Sequence, residues 1–204
     1  ASTLKRQLPN IITSIRMLMV VAFAALLEAT PSGPNGPDAA ALLAAAGLFV
    51  VAALSAAPDG PPARRWNVIS RFGRIMDPLA DKLLVLTAFM YLASPLFEVD
   101  GMMLSRVAPW MVAVILGREL AVTSLRGMLE ADGVDASASI AGKLKMVLQS
   151  ICIPGVLVLV ATTDTGQATP AGIAIATLVW GTVFATAASA WPYIRAAARH
   201  ARAA

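Results

Sequence analysis

Gly73, Asp77 and Asp81 follow one another at steps of four. On a helix that spacing stacks them on one face. Two carboxylates one turn apart repel unless a cation or a shared proton lies between them. Upstream, Asp59, Gly60, Ala63 and Arg64 share a second face. Small residues let a flat ligand or a phosphate approach the backbone closely, and a guanidinium suits phosphate. Each pair alone also fits a structural ion network. Two carboxylate faces with glycines at matched levels describe something narrower: a divalent-metal site beside a phosphate pocket. Carboxylates would have to hold the ion, because the chain has one histidine (His200, in the tail) and one cysteine (Cys152).

A second, basic set lies downstream. Arg118 and Arg126 lie in one apolar run, and Lys143 and Lys145 open the next. Glu119, Glu130, Asp132 and Asp135 occupy the same region, so its net charge is near zero. A pocket for an anionic co-substrate and a plain topological signal both fit these residues.

The elements that must position this chemistry are membrane helices. Of the 204 residues, 58% are apolar and 14% charged, and the mean hydropathy is +0.73. Soluble domains carry nearly twice that share of charge. The balance excludes a disordered chain, a disulfide scaffold and a basic nucleic-acid-binding domain, despite a net charge of +4. Six apolar runs are long enough to cross a bilayer: 8–27, 39–57, 75–96, 109–129, 140–161 and 171–193. Residues 1–7, with Lys5 and Arg6, are expected at the interface. The expected fold is all-α, one polytopic domain over 1–204, with six transmembrane helices and that short interfacial segment.

Charge orients the spans. The linkers near 30–38, 97–108 and 162–169 hold Asp38, Glu98, Asp100 and Asp164, with Arg106 as their sole cation. Every other one of the 16 lysines and arginines lies at the termini or around 64–82 and 118–145. Basic loops stay cytoplasmic, so both termini and the carboxylate faces are expected on that side. Snorkelling explains Arg65, Arg71 and Arg74, but aspartate is too short for it. Asp77 and Asp81 therefore demand another reason.

The run Asp59-Gly60-x-x-Ala63-Arg64, eight residues, Gly73-x-x-x-Asp77-x-x-x-Asp81 resembles the signature of CDP-alcohol phosphatidyltransferases, D-x-x-D-G-x-x-A-R-x8-G-x-x-x-D-x-x-x-D. Leu8–Arg16 (LPNIITSIR), Ala63–Lys82, Gly117–Arg126 (GRELAVTSLR) and Ala141–Lys145 (AGKLK) extend the likeness over nearly the whole chain. Within the family the likeness is to the branch whose acceptor is glycerol-3-phosphate. The resemblance implies a bacterial inner-membrane enzyme, a homodimer, with CDP-diacylglycerol and glycerol-3-phosphate as substrates in a cytoplasm-facing site. It implies Asp59, Asp77 and Asp81 as ligands of Mg2+ or Mn2+, and nucleotide against Gly60, Ala63, Arg64 and Gly73. It further implies Asp81 as general base, and the acceptor's phosphate at Arg118, Arg126, Lys143 and Lys145.

One signature position departs: the first aspartate falls at Ala56, and Pro58, Pro61 and Pro62 follow closely. Three carboxylates then stand where the family has four. Two rival readings remain beside the glycerol-3-phosphate enzyme: a relative with another acceptor, and an impaired relative that binds nucleotide-lipid without turnover. A transporter fits less well, because its path would need polar groups near the midplane.

Overall fold

A computed structural model of the chain describes residues 2–34, 36–55, 71–133, 140–166 and 168–203, with side chains over 14–34, 36–55, 79–133, 140–166 and 168–200. Helix α2 (Ala39–Ser55) has no charged residue and buries Leu42, Ala45, Ala46, Phe49 and Ala52, the spacing of a single helical face. Asp38 opens it, its carboxylate accepting from the Ala41 amide at 2.9 Å, as an N-cap does. Helices α1 (Ser2–Glu28) and α3 (Arg71–Leu92) pack against each other and against α2. The Phe23 ring of α1 meets Phe49 of α2 at 5.9 Å between centroids.

The second half adds α4 (Pro109–Ala131), α5 (Ile140–Thr162), α6 (Pro170–Ala188) and α7 (Trp191–Ala203). Helix α5 packs between α2 and α6, and α4 touches α3, α6 and α7. Proline fits the first turns of α4 and α6, where the missing N–H costs nothing. Thr169 caps α6 by accepting from the Gly172 amide at 3.1 Å. One core of Phe23, Phe49, Phe89, Ile115, Leu157 and Val179, among others, runs through the helices.

Outside the core the bundle stays apolar. Leu18, Leu54 and Met90 are exposed, and Phe184 is 76% exposed. Water would penalise so much apolar exterior, whereas lipid accepts it. Among the described residues, α5 and the run Pro170–His200 are long and apolar enough to cross a membrane, and Ala39–Ser55 is a shorter apolar helix. The other expected spans do not meet that measure among the described residues. Helices α3 and α4 carry Asp77, Asp81 and Lys82, and Arg118, Glu119 and Arg126, which lower their hydropathy.

Three expectations change. The interfacial N-terminal segment is no separate element, since residues 2–7 form the first turns of α1. The third run does not stay helical to 96: α3 ends at Leu92, and Pro95 starts a 3-10 turn, Pro95–Phe97. The sixth run breaks at Ser189–Ala190, before Pro192, into α6 and α7.

The fold is also not wholly α. Two short antiparallel ladders join β1 (Ser32–Gly33) to β2 (Gly36–Pro37) and β3 (Glu98–Val99) to β4 (Met102–Met103). Asp100 and Gly101 turn the second, with φ of 50° and 74°, the left-handed pair that a two-residue hairpin requires. These loops gather at one end of the bundle. There Ser32 Oγ donates to Leu96 O at 3.4 Å, and the Arg106 guanidinium donates to Thr165 O at 2.8 Å.

Candidate functional site

Asp81 is carried by α3 to the wall of a cavity of about 510 Å3. Helices α2, α3, α4 and α5 enclose it. Lys82, Glu119, Lys145 and Gln149 also line it, with apolar side chains such as Phe49 and Ile151.

Arg16 secures Asp81 from behind. Its Nη1 lies 3.3 Å from Asp81 Oδ1, and its Nη2 donates to the backbone oxygen of Ser55 at 2.6 Å. The Arg16 side chain is 4% exposed and that of Asp81 33%. The guanidinium is thus sealed among α1, α2 and α3, while the carboxylate keeps an open edge towards the cavity.

Across the cavity, α4 and α5 hold a buried ion cluster. Glu119 Oε1 accepts from Arg118 Nη1 at 3.1 Å and also from Lys145 Nζ. All three side chains are less than a tenth exposed. Arg118 Nη2 reaches Ser189 O at 3.4 Å, which ties α4 to the end of α6. Lys82 Nζ donates to Thr123 Oγ1, and that hydroxyl donates to Glu119 O at 2.7 Å. One turn deeper, Gln149 Nε2 donates to Thr186 Oγ1 at 3.3 Å.

Charge on the two walls is unequal. Arg16 and Asp81 offset each other, but Arg118 and Lys145 share the one carboxylate of Glu119, and Lys82 approaches the same side through Thr123. Desolvated cations in excess of their partners are costly unless an anion joins them. The chemistry available is therefore a carboxylate that can accept a proton, facing a wall that attracts anions.

The residues singled out by spacing divide into three groups. Asp59, Gly60, Ala63 and Arg64, with Ala56, lie outside the described residues. Gly73 and Asp77 are in α3, two turns and one turn before Asp81, with side chains outside the described set. Of the basic four, Arg118 and Lys145 are brought together around Glu119. Arg126 and Lys143 are not: Arg126 is 40% exposed and pairs with Glu130 of its own helix at 3.4 Å, and Lys143 is exposed.

Sequence reasoning passed over Arg16, Lys82 and the bridging role of Glu119. An arginine inside the apolar stretch MLMVVAFAALL and its lead-in was the available signal for Arg16, because an unpaired charge is rarely buried. Nothing local marked Glu119 as the partner of a lysine 26 residues away.

The donors suit a hard dication. Asp81 offers carboxylate oxygen at the cavity wall, and Asp77 stands one turn away on the same helical face. Cys152 is buried within α5, and His200 pairs at 2.9 Å with Asp132, away from the cavity. No group of three or more potential metal ligands forms among the described residues. The remaining ligand expected from the signature, Asp59, lies outside them.

Comparison with known proteins bears on the same stretch of chain. The model of the CDP-alcohol phosphatidyltransferase family matches residues 6–188. The chain is 35% identical over 192 residues to the CDP-diacylglycerol–glycerol-3-phosphate 3-phosphatidyltransferase of Bacillus subtilis (strain 168), covering 91% of this chain and 92% of that one. It is 36% identical over 146 residues to a probable phosphatidylglycerophosphate synthase of Mycobacterium tuberculosis, covering 72% of this chain and 63% of that one. A CMP-forming cardiolipin synthase of Streptomyces coelicolor is 32% identical over 127 residues, covering 62% and 53%. The match runs from α1 to the end of α6, through Arg16, Asp81, Glu119 and Lys145, and so the chain belongs to the CDP-alcohol phosphatidyltransferase family.

Proposed function

We propose that the chain transfers a phosphatidyl group from CDP-diacylglycerol to glycerol-3-phosphate, giving phosphatidylglycerophosphate and CMP. The observation that carries this reading is the cavity lined by the Asp81 carboxylate together with Lys82 and Lys145, with Arg118 behind them on Glu119. The acceptor is assigned from likeness to the Bacillus subtilis enzyme, whose name specifies glycerol-3-phosphate.

In this reading Asp81 takes the proton of the acceptor's primary hydroxyl as that oxygen attacks the phosphorus bearing the diacylglycerol. The bond from that phosphorus to the bridging oxygen breaks, and CMP leaves with the electron pair. Lys145, supported from the side by Arg118, holds the acceptor's phosphate so that the hydroxyl lies in line, with Arg126 and Lys143 at the surface outside that contact. Gly60, Ala63, Arg64 and Gly73 take the nucleotide. The apolar side chains of the cavity take the first carbons of the acyl chains.

The family uses divalent metal ions, and Asp59, Asp77 and Asp81 would hold Mg2+ or Mn2+ here. Held there, such an ion would supply charge to screen the diphosphate and the departing CMP.

We place the protein in the bacterial cytoplasmic membrane as a six-span homodimer, with both termini and the cavity on the cytoplasmic side. The segregation of basic residues supports that orientation, and the apolar exterior supports burial in lipid.

The test is CMP release by the purified protein from CDP-diacylglycerol with a panel of acceptors: glycerol-3-phosphate, inositol phosphate, serine and phosphatidylglycerol. Release is expected with glycerol-3-phosphate. Faster release with another acceptor would overturn the acceptor assignment. Binding of CDP-diacylglycerol without release from any acceptor would support the impaired relative that Ala56 suggests.

A further inference from the structure

Resting on the acceptor reading above, we propose that Glu119 is a positioning residue that aims the Lys145 ammonium at the acceptor's phosphate. Three features lead there. First, Lys145 and Glu119 come from different helices and meet at the cavity wall. Both side chains are less than a tenth exposed, so water does not compete for the contact. A buried lysine on a flexible stem would otherwise sample many rotamers and snorkel away.

Second, Glu119 uses the same oxygen for Lys145 and for Arg118. Arg118 is in turn fixed to Ser189 O, and the Glu119 backbone oxygen receives the Thr123 hydroxyl that binds Lys82. The carboxylate is thus held by an arginine that is itself fixed to the end of α6, a rigid point from which to hold a mobile ammonium.

Third, the contact leaves capacity to spare. An ammonium has three donors, and Glu119 takes one of them. Arg118 differs: it spends donors on Glu119 and on Ser189, and it is not among the side chains that line the cavity, whereas Lys145 is. Lys145 is therefore the group placed to meet an anion in the cavity, and Arg118 supports it from the side. Glu119 also reduces the charge of the pocket without cancelling it, since it faces two cations.

The role predicts a split between substrates. Glu119→Gln keeps the shape but loses the charge that fixes Lys145. Loss of a charge-assisted contact of this kind should raise the KM for glycerol-3-phosphate about tenfold or more. The KM for CDP-diacylglycerol should not move. Glu119→Asp keeps the charge with a shorter reach and should recover part of the acceptor affinity. Because Glu119 acts through Lys145, the double variant Glu119→Gln/Lys145→Met should be no worse than Lys145→Met alone.

An unchanged acceptor KM in Glu119→Gln would overturn the proposal. So would equal rises for both substrates, or losses that multiply in the double variant. An unchanged acceptor KM in Lys145→Met would instead overturn the acceptor site on which the proposal stands, and CMP release by the unaltered protein distinguishes that from failure of the whole reaction. Should Glu119→Gln fail to fold, Glu119→Asp decides: an acceptor KM equal to that of the unaltered protein would show that aim at Lys145 does not matter.

Discussion

Arg16 of α1 stands 3.3 Å from Asp81 of α3 and binds the last carbonyl of α2 with its other nitrogen. A single guanidinium thus joins three helices at the point where the chain carries its proposed base. The fork geometry matters, because a lysine offers one point charge where arginine offers two directed donors. Arg16→Lys should keep the pair with Asp81 and lose the tie to Ser55. Arg16→Met should lose both. Each charge-assisted bond contributes roughly 1.5–3 kcal/mol, so thermal unfolding in detergent should fall stepwise from Arg16 to Lys to Met. Equal midpoints for all three would show that Arg16 ties nothing.

Asp81→Asn should abolish turnover while leaving CDP-diacylglycerol bound. The amide has the shape of the carboxylate but accepts no proton, and loss of a general base costs about 10²–10⁴-fold. Asp77→Asn should act differently, raising the magnesium or manganese concentration needed for half-activity. The measurement is CMP release against metal concentration for both variants. Near-normal turnover by Asp81→Asn would remove Asp81 from the base role.

The sequence made the helices legible and the contacts between them obscure. Apolar runs mark α1 to α6 because burial in lipid or core needs long unbroken stretches. Their ends shift where local chemistry outweighs hydropathy, as at Pro95 and at Ser189–Ala190. The two ladders escape notice because each strand is two residues long, too short for alternation to register. Outside the cavity, the i,i+4 spacing of Arg126 and Glu130 is readable in the sequence and is what forms. The pairs that build the cavity, Arg16 with Asp81 and Lys145 with Glu119, are 65 and 26 residues apart. No helical period links such residues, so only the packing of α1, α3, α4 and α5 discloses them.

Gly172→Ala should destabilise the end of the bundle remote from the cavity. A methyl group built on Gly172 would come within 2.1 Å of Gly166 O and 3.1 Å of Thr165 O. Both obstacles are backbone, and Arg106 holds Thr165 O in place, so neither yields cheaply. Overpacking of this kind costs about 1–3 kcal/mol. The unfolding midpoint should drop, with the KM for acceptor unchanged. A midpoint equal to that of the unaltered protein would show that the loop moves freely.

Topology is tested by labelling. In a Cys152→Ser background, cysteines introduced as Ser2→Cys and Ala204→Cys should resist a membrane-impermeant thiol reagent added to intact cells. Both should react after the membrane is opened. Asp100→Cys, in the acidic loop between β3 and β4, should react in intact cells. Labelling of either terminus from outside would reverse the orientation drawn from the basic residues.

Ala56→Asp bears on whether the signature's missing carboxylate matters. Position 56 lies three residues before Asp59, where the family pattern has its first aspartate. If 56–63 is helical, a carboxylate there shares a face with Asp59, Gly60 and Ala63. Oxygen sites tune affinity largely through the number of charged ligands, so a fourth carboxylate should lower the metal concentration needed for half-activity and raise CMP release. Pro58, Pro61 and Pro62 argue the other way, since proline inside a helix removes a hydrogen bond and bends or breaks it. If they turn position 56 away from the other ligands, the new carboxylate meets no ion and, where it is buried, costs several kcal/mol. Metal titration and thermal unfolding of the two proteins side by side separate the cases. Tighter metal dependence with faster release is the expected result. Lower stability with unchanged metal dependence would mean that Ala56 is not a vacant ligand position, and that three carboxylates are the full set this chain brings to the ion.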